Sequence, residues 1–114
     1  MNLKLIKMDN EFILVLCTFE KSQDAHIISE ALINKRLCAC VNIIPSIESK
    51  YIWNNKLETS SECILLIKTV KSKFNQIKSE ILEKHKYENP EVISINVDDG
   101  SEKYLAWINN IISK

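Results

Sequence analysis

A chain of 114 residues has room for one globular domain and not for two, and 46% hydrophobic with 26% charged residues, one Gly and two Pro is the composition of a packed core under a solvated surface. Fifteen basic residues balance fifteen acidic ones, so no excess of positive charge steers the protein toward nucleic acid or an anionic membrane. No stretch approaches the roughly 18 apolar residues of a membrane-crossing helix.

The first seven residues carry no apolar core of a secretory signal, which predicts a cytoplasmic protein. Residues 1–10 read as a short extension and 11–113 as the domain. Within it, Phe12 to Cys17 is a continuous apolar run that suits a central strand buried on both faces. A helix follows, with Ser22 as its expected cap, Asp24 at its positive end and a stripe of Ala25, Ile28, Ala31 and Leu32, ending near Arg36.

Residues 37–47 are too rich in β-branched side chains for a helix and are broken by Pro45, which cannot donate a ladder bond and so predicts an edge strand with a bend or bulge. The extended pattern then runs through Tyr51 and Trp53 to Asn54-Asn55, a pair tolerant of left-handed geometry, and returns from Lys56 to Thr69. The pattern predicts one hairpin with unusually long arms. A second helix is predicted over 70–85, a short strand around Val92, Ile93 and Ile95, and a terminal helix capped by Ser101 with a stripe of Tyr104, Leu105, Ile108, Ile111 and Ile112.

The order strand, helix, strand, strand, helix, strand, helix predicts a ferredoxin-like βαββαβ sheet, an α/β fold of the α+β sandwich kind, with a long bent hairpin and an additional C-terminal helix. Function must then come from sites, since this fold serves many. The third strand carries no aromatic side chain for stacking bases, which argues against nucleic-acid binding. Cys17, Cys38, Cys40 and Cys63 all sit in or beside apolar runs, and a domain of this size needs no disulfide staple, so free thiols in a reducing compartment are expected.

Three places invite a functional reading. His85 opens a stretch bearing Tyr87, Glu88 and Glu91, and it reads either as a helix-terminal residue favoured by the dipole or as the rim of a hydrogen-bonding or metal-coordinating pocket. Ser49, Tyr51 and Trp53 alternate onto one face of the hairpin, an aromatic surface costly to a monomer and suited to packing against a partner. Tyr104 with Trp107 reads as helix packing. His26 lies among solvated helix residues.

Taken together, Cys38-Ala39-Cys40-Val41-Asn42-Ile43-Ile44-Pro45, Ser49-Lys50-Tyr51-Ile52-Trp53, Glu62, Lys68-Thr69, His85-Lys86-Tyr87-Glu88-Asn89-Pro90-Glu91 and Tyr104-Leu105-Ala106-Trp107-Ile108 resemble the CutA family of divalent-cation tolerance proteins over roughly residues 11 to 112. The resemblance implies a ferredoxin-like homotrimer whose hairpins reach across neighbouring sheets, an association with copper or another divalent cation not required for folding, and no enzyme activity. It implies Cys17, Cys40, Glu62 and His85 as metal residues, and Lys68, Tyr87 and Tyr104 as residues binding a small anionic ligand at an intersubunit cleft. Lys86 stands where the family has proline and adds a positive charge beside His85, which disfavours a cation if its head points inward. An alternative within the same fold is a sensor or scaffold like the trimeric PII signalling proteins, holding an anionic metabolite at Lys68.

Overall fold

The computed structural model describes residues 11–113, and the predicted 1–10 extension lies outside them. Strand β1 (Phe12–Phe19) is followed by helix α1 (Ser22–Asn34), the long strands β2 (Cys40–Trp53) and β3 (Lys56–Val70), a 3-10 turn (Lys71–Lys73), helix α2 (Phe74–Lys84), strand β4 (Val92–Asn96) and helix α3 (Glu102–Ile112). The four strands form one sheet in the order β2-β3-β1-β4, all neighbours antiparallel. This is the ferredoxin-like βαββαβ arrangement with an extra C-terminal helix.

Alternation along β1 and β3 sorts the two faces. Ile13, Val15, Cys17 and Phe19 of β1 meet Cys63, Leu65 and Ile67 of β3 under Ala25, Ile28 and Leu32 of α1 and Ile77 and Ile81 of α2, forming the main core. Among the described residues the second face is covered at one end, where Ile108 and Ile112 of α3 pack on Phe12, Ala39 and Val70. Beyond α3 it leaves Leu14, Leu16, Ile64 and Leu66 half-buried and Ile44, Ile93 and Ile95 exposed.

Local chemistry shifts several boundaries from the sequence expectation. Lys21, not Ser22, is the N-cap residue of α1, and no side-chain cap bond forms. The helix ends at Asn34 because Arg36 turns to φ 58°, a left-handed residue where the sequence pattern extended the helix. Val70 closes β3 rather than opening the second helix, whose α-helical part begins at Phe74. Ser101 is the N-cap residue of α3 through its carbonyl, which accepts from Leu105 N–H at 3.0 Å, with no side-chain cap bond.

The hairpin gives the molecule its 57 Å length. Asn54 and Asn55 turn it with φ 51° and 64°, the two left-handed residues that a tight two-residue turn needs. Strand β2 is a sheet edge and its ladder slips by one residue between Ile44 and Ile47, with Ser46 at φ 59°. Pro45 thus lies in a bulge on an edge strand. The inserted residue reverses the facing of everything after it. Ile44 pairs with Ile64 and Ile47 with Glu62, so Ser49, Tyr51 and Trp53 come to the same side as Glu62.

Candidate functional site

The site is built where the end of β1, the middle of β3 and the segment leaving α2 converge. His85 is the C-cap of α2, its backbone N–H bonded to Ile81 O at 2.8 Å, and its extended φ and ψ send the chain back across the end of β1. Its ring stacks on Phe19, centroids 4.3 Å apart and planes 19° off parallel. Nε2 lies 2.7 Å from Thr18 O and Nδ1 lies 3.1 Å from Tyr87 N. A carbonyl only accepts and a peptide N–H only donates, so the proton sits on Nε2 and Nδ1 is the acceptor. Both ring nitrogens are therefore engaged within the chain, and coordinating a metal through either requires breaking one of these bonds.

That arrangement positions Tyr87. Its hydroxyl donates to Glu62 Oε2 at 2.5 Å. Burial, followed by the Glu62 bond and the charges of Glu62 and Glu20, pushes the phenol well above its ordinary value. Lys86 points away: its ammonium reaches Asp24 of α1 at 3.2 Å, so its charge does not enter the site.

The sequence-derived residues separate into two groups. Glu62, His85 and Tyr87 are together, with Cys17 behind them on the core side of β1. Cys17 is fully buried and its thiol is pushed up to about 12, by desolvation first and then by the charges of Glu91, Cys63 and Glu62. Cys40 and Lys68 form a cross-strand pair, and the Lys68 ammonium lies 5.6 Å from the centroid of the Tyr104 ring. Glu62 and Lys68 are six residues apart on one strand, about 20 Å. Tyr104 also packs against Trp107, centroids 5.7 Å apart.

The donor set does not fit a metal chelate within one chain. Among the described residues no group of three or more His, Cys, Asp or Glu side chains converges. All four cysteines are free, and Cys17, Cys38 and Cys63 are buried. Burial pushes the Cys38 thiol to about 12 as well.

What does converge is a cleft of about 660 Å³ between the hairpin and the 87–91 segment, with Glu62 and Tyr87 inside, Tyr51 and Trp53 on the hairpin wall, and Glu20, Glu88 and Glu91 among its lining. Glu20 and the Thr18 carbonyl escaped the sequence reading. Glu20 belongs to no alternating pattern, and a backbone carbonyl leaves no mark on residue identity. Among the described residues no helix is long and apolar enough to cross a membrane.

The family model described as "CutA1 divalent ion tolerance protein" matches residues 13–111. The divalent-cation tolerance protein CutA of Thermus thermophilus is 35% identical over 94 residues, 82% of this chain and 91% of that protein. The chloroplastic CutA of Arabidopsis thaliana is 37% identical over 98 residues, 86% of this chain and 54% of that one. The chain thus spans about half the length of several plant and animal relatives it matches. Among solved structures, CutA from Xylella fastidiosa superposes with a TM-score of 0.86 at 39% identity, covering 89% of this chain and 97% of that one. CutA1 from Oryza sativa gives 0.86 at 36% identity, covering 89% and 93%. With these sequence and backbone similarities spanning the sheet, the helices and the cleft, the chain belongs to the CutA1 family of divalent ion tolerance proteins.

Proposed function

We propose that this chain acts in the cytoplasm as a homotrimer in the response to divalent metal ions, without catalysing a reaction. The observation that carries the assembly is the apolar sheet face beyond α3, where Ile44, Ile93 and Ile95 are exposed beside half-buried Leu14, Leu16, Ile64 and Leu66. The hairpin tip adds Ile52 and Leu57, 66% and 72% exposed. Surfaces of this kind favour a second copy of the chain over water, and three copies is the state the family resemblance implies. Light scattering tests it: the expected mass is three times the 13.2 kDa of one chain, and a stable monomer would sink the reading. Cytoplasmic placement rests on the four free thiols; cell fractionation that recovered the protein only outside the cytoplasm would refute it.

Divalent ions, copper among them, associate weakly in this reading, held by the carboxylates around the cleft rather than by a thiolate and an imidazole. The engaged nitrogens of His85 and the buried Cys17 support that order of strength. Calorimetric titration with copper and zinc should give weak binding that His85→Ala lowers only modestly, through the loosened 87–91 segment. Tight binding abolished by that substitution would reverse the assignment.

A second reading, a PII-like small-ligand sensor, is favoured by Lys68. It is half-buried over Tyr104, and no carboxylate forms an ion pair with it among the described residues. A small anion seated between protomers would meet that charge. Thermal shift with inorganic phosphate, compared with Lys68→Met, tests it.

A further inference from the structure

We propose that the cleft between the hairpin and the 87–91 segment binds an organic cation with N–H donors, an ammonium or guanidinium on a short apolar body, with Glu62 as its anchor. This rests on the reading of the cleft as a site for positive charge and names the class of ligand.

Glu62 is only 8% exposed. Its Oε2 accepts the Tyr87 hydroxyl, and among the described residues no donor reaches Oε1. Among the described residues no buried side-chain oxygen lacks a partner, so Oε1 still touches solvent and is open to a ligand's donor, while Oε2 is used by Tyr87. The surroundings add negative charge. Glu20, Glu88 and Glu91 share the cleft, and none makes an ion pair among the described residues. Lys50 stands in the same lining but is drawn toward Glu48 at 3.6 Å and Thr59 Oγ1 at 3.3 Å. An anion entering here meets four carboxylates.

The other wall selects among cations. The bulge at Pro45 and Ser46 turns Tyr51 and Trp53 to the Glu62 side, each roughly half exposed, so two aromatic rings border the acidic floor. Aromatic faces attract ammonium and guanidinium groups and cover the apolar part of such a ligand. A cleft of about 660 Å³ suits a small organic molecule. A bare first-row metal ion instead needs several donors at coordination distance, which these side chains do not assemble. The open Oε1 of Glu62 calls for an N–H donor, which separates amines and guanidines from quaternary ammonium ions.

The test uses the full chain with agmatine as the probe, followed by calorimetry and by tryptophan fluorescence in a Trp107→Phe background so that Trp53 reports alone. Tetramethylammonium serves as the cation without N–H groups. Saturable agmatine binding, weakened at least tenfold by Glu62→Gln and several-fold by the rim pair Glu88→Gln and Glu91→Gln, with tetramethylammonium much weaker, is the expected result. Absence of saturable agmatine binding, or binding unaffected by both the floor and the rim substitutions, overturns the proposal. Copper or zinc binding without agmatine binding also overturns it while leaving the divalent-ion reading intact. Agmatine binding by a monomeric protein would support it and refute only the trimer.

Discussion

Tyr87 reaches Glu62 through its hydroxyl at 2.5 Å, joining the segment after α2 to the middle of β3 across 25 residues of sequence. Removing the hydroxyl in Tyr87→Phe leaves a buried carboxylate without its donor, so the cost exceeds that of one neutral hydrogen bond. A loss of about 1–3 kcal/mol in urea unfolding is expected, and a variant as stable as the parent would show that the contact contributes nothing.

The same pair sets an alkaline limit. The phenol is held above its ordinary value of 10.0, mainly by burial and then by Glu62. A raised acid in the folded state contributes stability that is whole below pH 10 and is lost as pH climbs toward the higher folded value. Cys17 and Cys38, raised from 9.0 to about 12, act in the same direction over pH 9 to 12. Stability measured from pH 8 to 11.5 should therefore fall on the alkaline side, and Tyr87→Phe should flatten the upper part of that fall while leaving the thiol part. An unchanged profile in Tyr87→Phe would contradict the assignment.

His85 works through placement. Its ring rests on Phe19, donates to Thr18 O and accepts from Tyr87 N–H, so His85→Ala removes two hydrogen bonds and a stacked ring at once. A destabilisation of about 2–3 kcal/mol is expected. Hydrogen exchange should quicken at Tyr87 and through 88–91 while the β1–β3 ladder stays protected. Equal acceleration in both regions would mean that His85 supports the core generally rather than this segment.

Much of this architecture is legible in residue pattern because burial leaves a periodic trace. The continuous run ending in Cys17 marked a central strand, although its Leu14 and Leu16 face is only half-buried rather than packed as expected. Pro45 with Asn54-Asn55 marked the bulge and the turn through backbone restrictions that only a few residue types satisfy. The 3-10 turn before α2 and the early end of α1 at Arg36 left no such trace, because tertiary packing overrode a compatible helical pattern. At the site, His85, Tyr87 and Glu62 were nameable as residues, but not the tautomer of one or the bond between the others. Both depend on a carbonyl and a strand brought close only by folding. The separation of Glu62 from Lys68 was legible, since the two fall six residues apart on the one predicted strand, whereas the pairing of Cys40 with Lys68 was not, because it depends on the register of the folded hairpin.

Thiol chemistry separates the four cysteines. Cys17, Cys38 and Cys63 are buried, and burial raises each thiol, whereas Cys40 is only partly buried, on the edge strand. The native chain should give one fast-reacting thiol with an aromatic disulfide reagent at pH 8, assigned to Cys40 by Cys40→Ser, and three more only on unfolding. If Cys40 is covered in the assembled protein, the fast phase should appear only when the assembly is dissociated under native-like conditions; a fast phase at any other cysteine would contradict the burial.

The bulge at Ser46 offers the sharpest test of how the hairpin wall is built. One extra residue between Ile44 and Ile47 is what carries Tyr51 and Trp53 to the Glu62 side, because strand side chains alternate with a period of two. Deleting Ser46 leaves Ile44 and Ile47 two residues apart opposite Ile64 and Glu62, so plain alternation, with no bulge, keeps both rings on the Glu62 side. The deletion should therefore leave circular dichroism, the Tyr51 hydroxyl beside Ser60 Oγ, 3.3 Å away, and the Trp53 emission maximum nearly unchanged. Ser46→Gly keeps the bulge itself and relieves a residue held at φ 59°, so it should match the parent or gain about 0.5–1 kcal/mol. A deletion that shifts the Trp53 emission would mean that the arm re-pairs beyond the bulge and that Ser46 is not simply the one extra residue of the register.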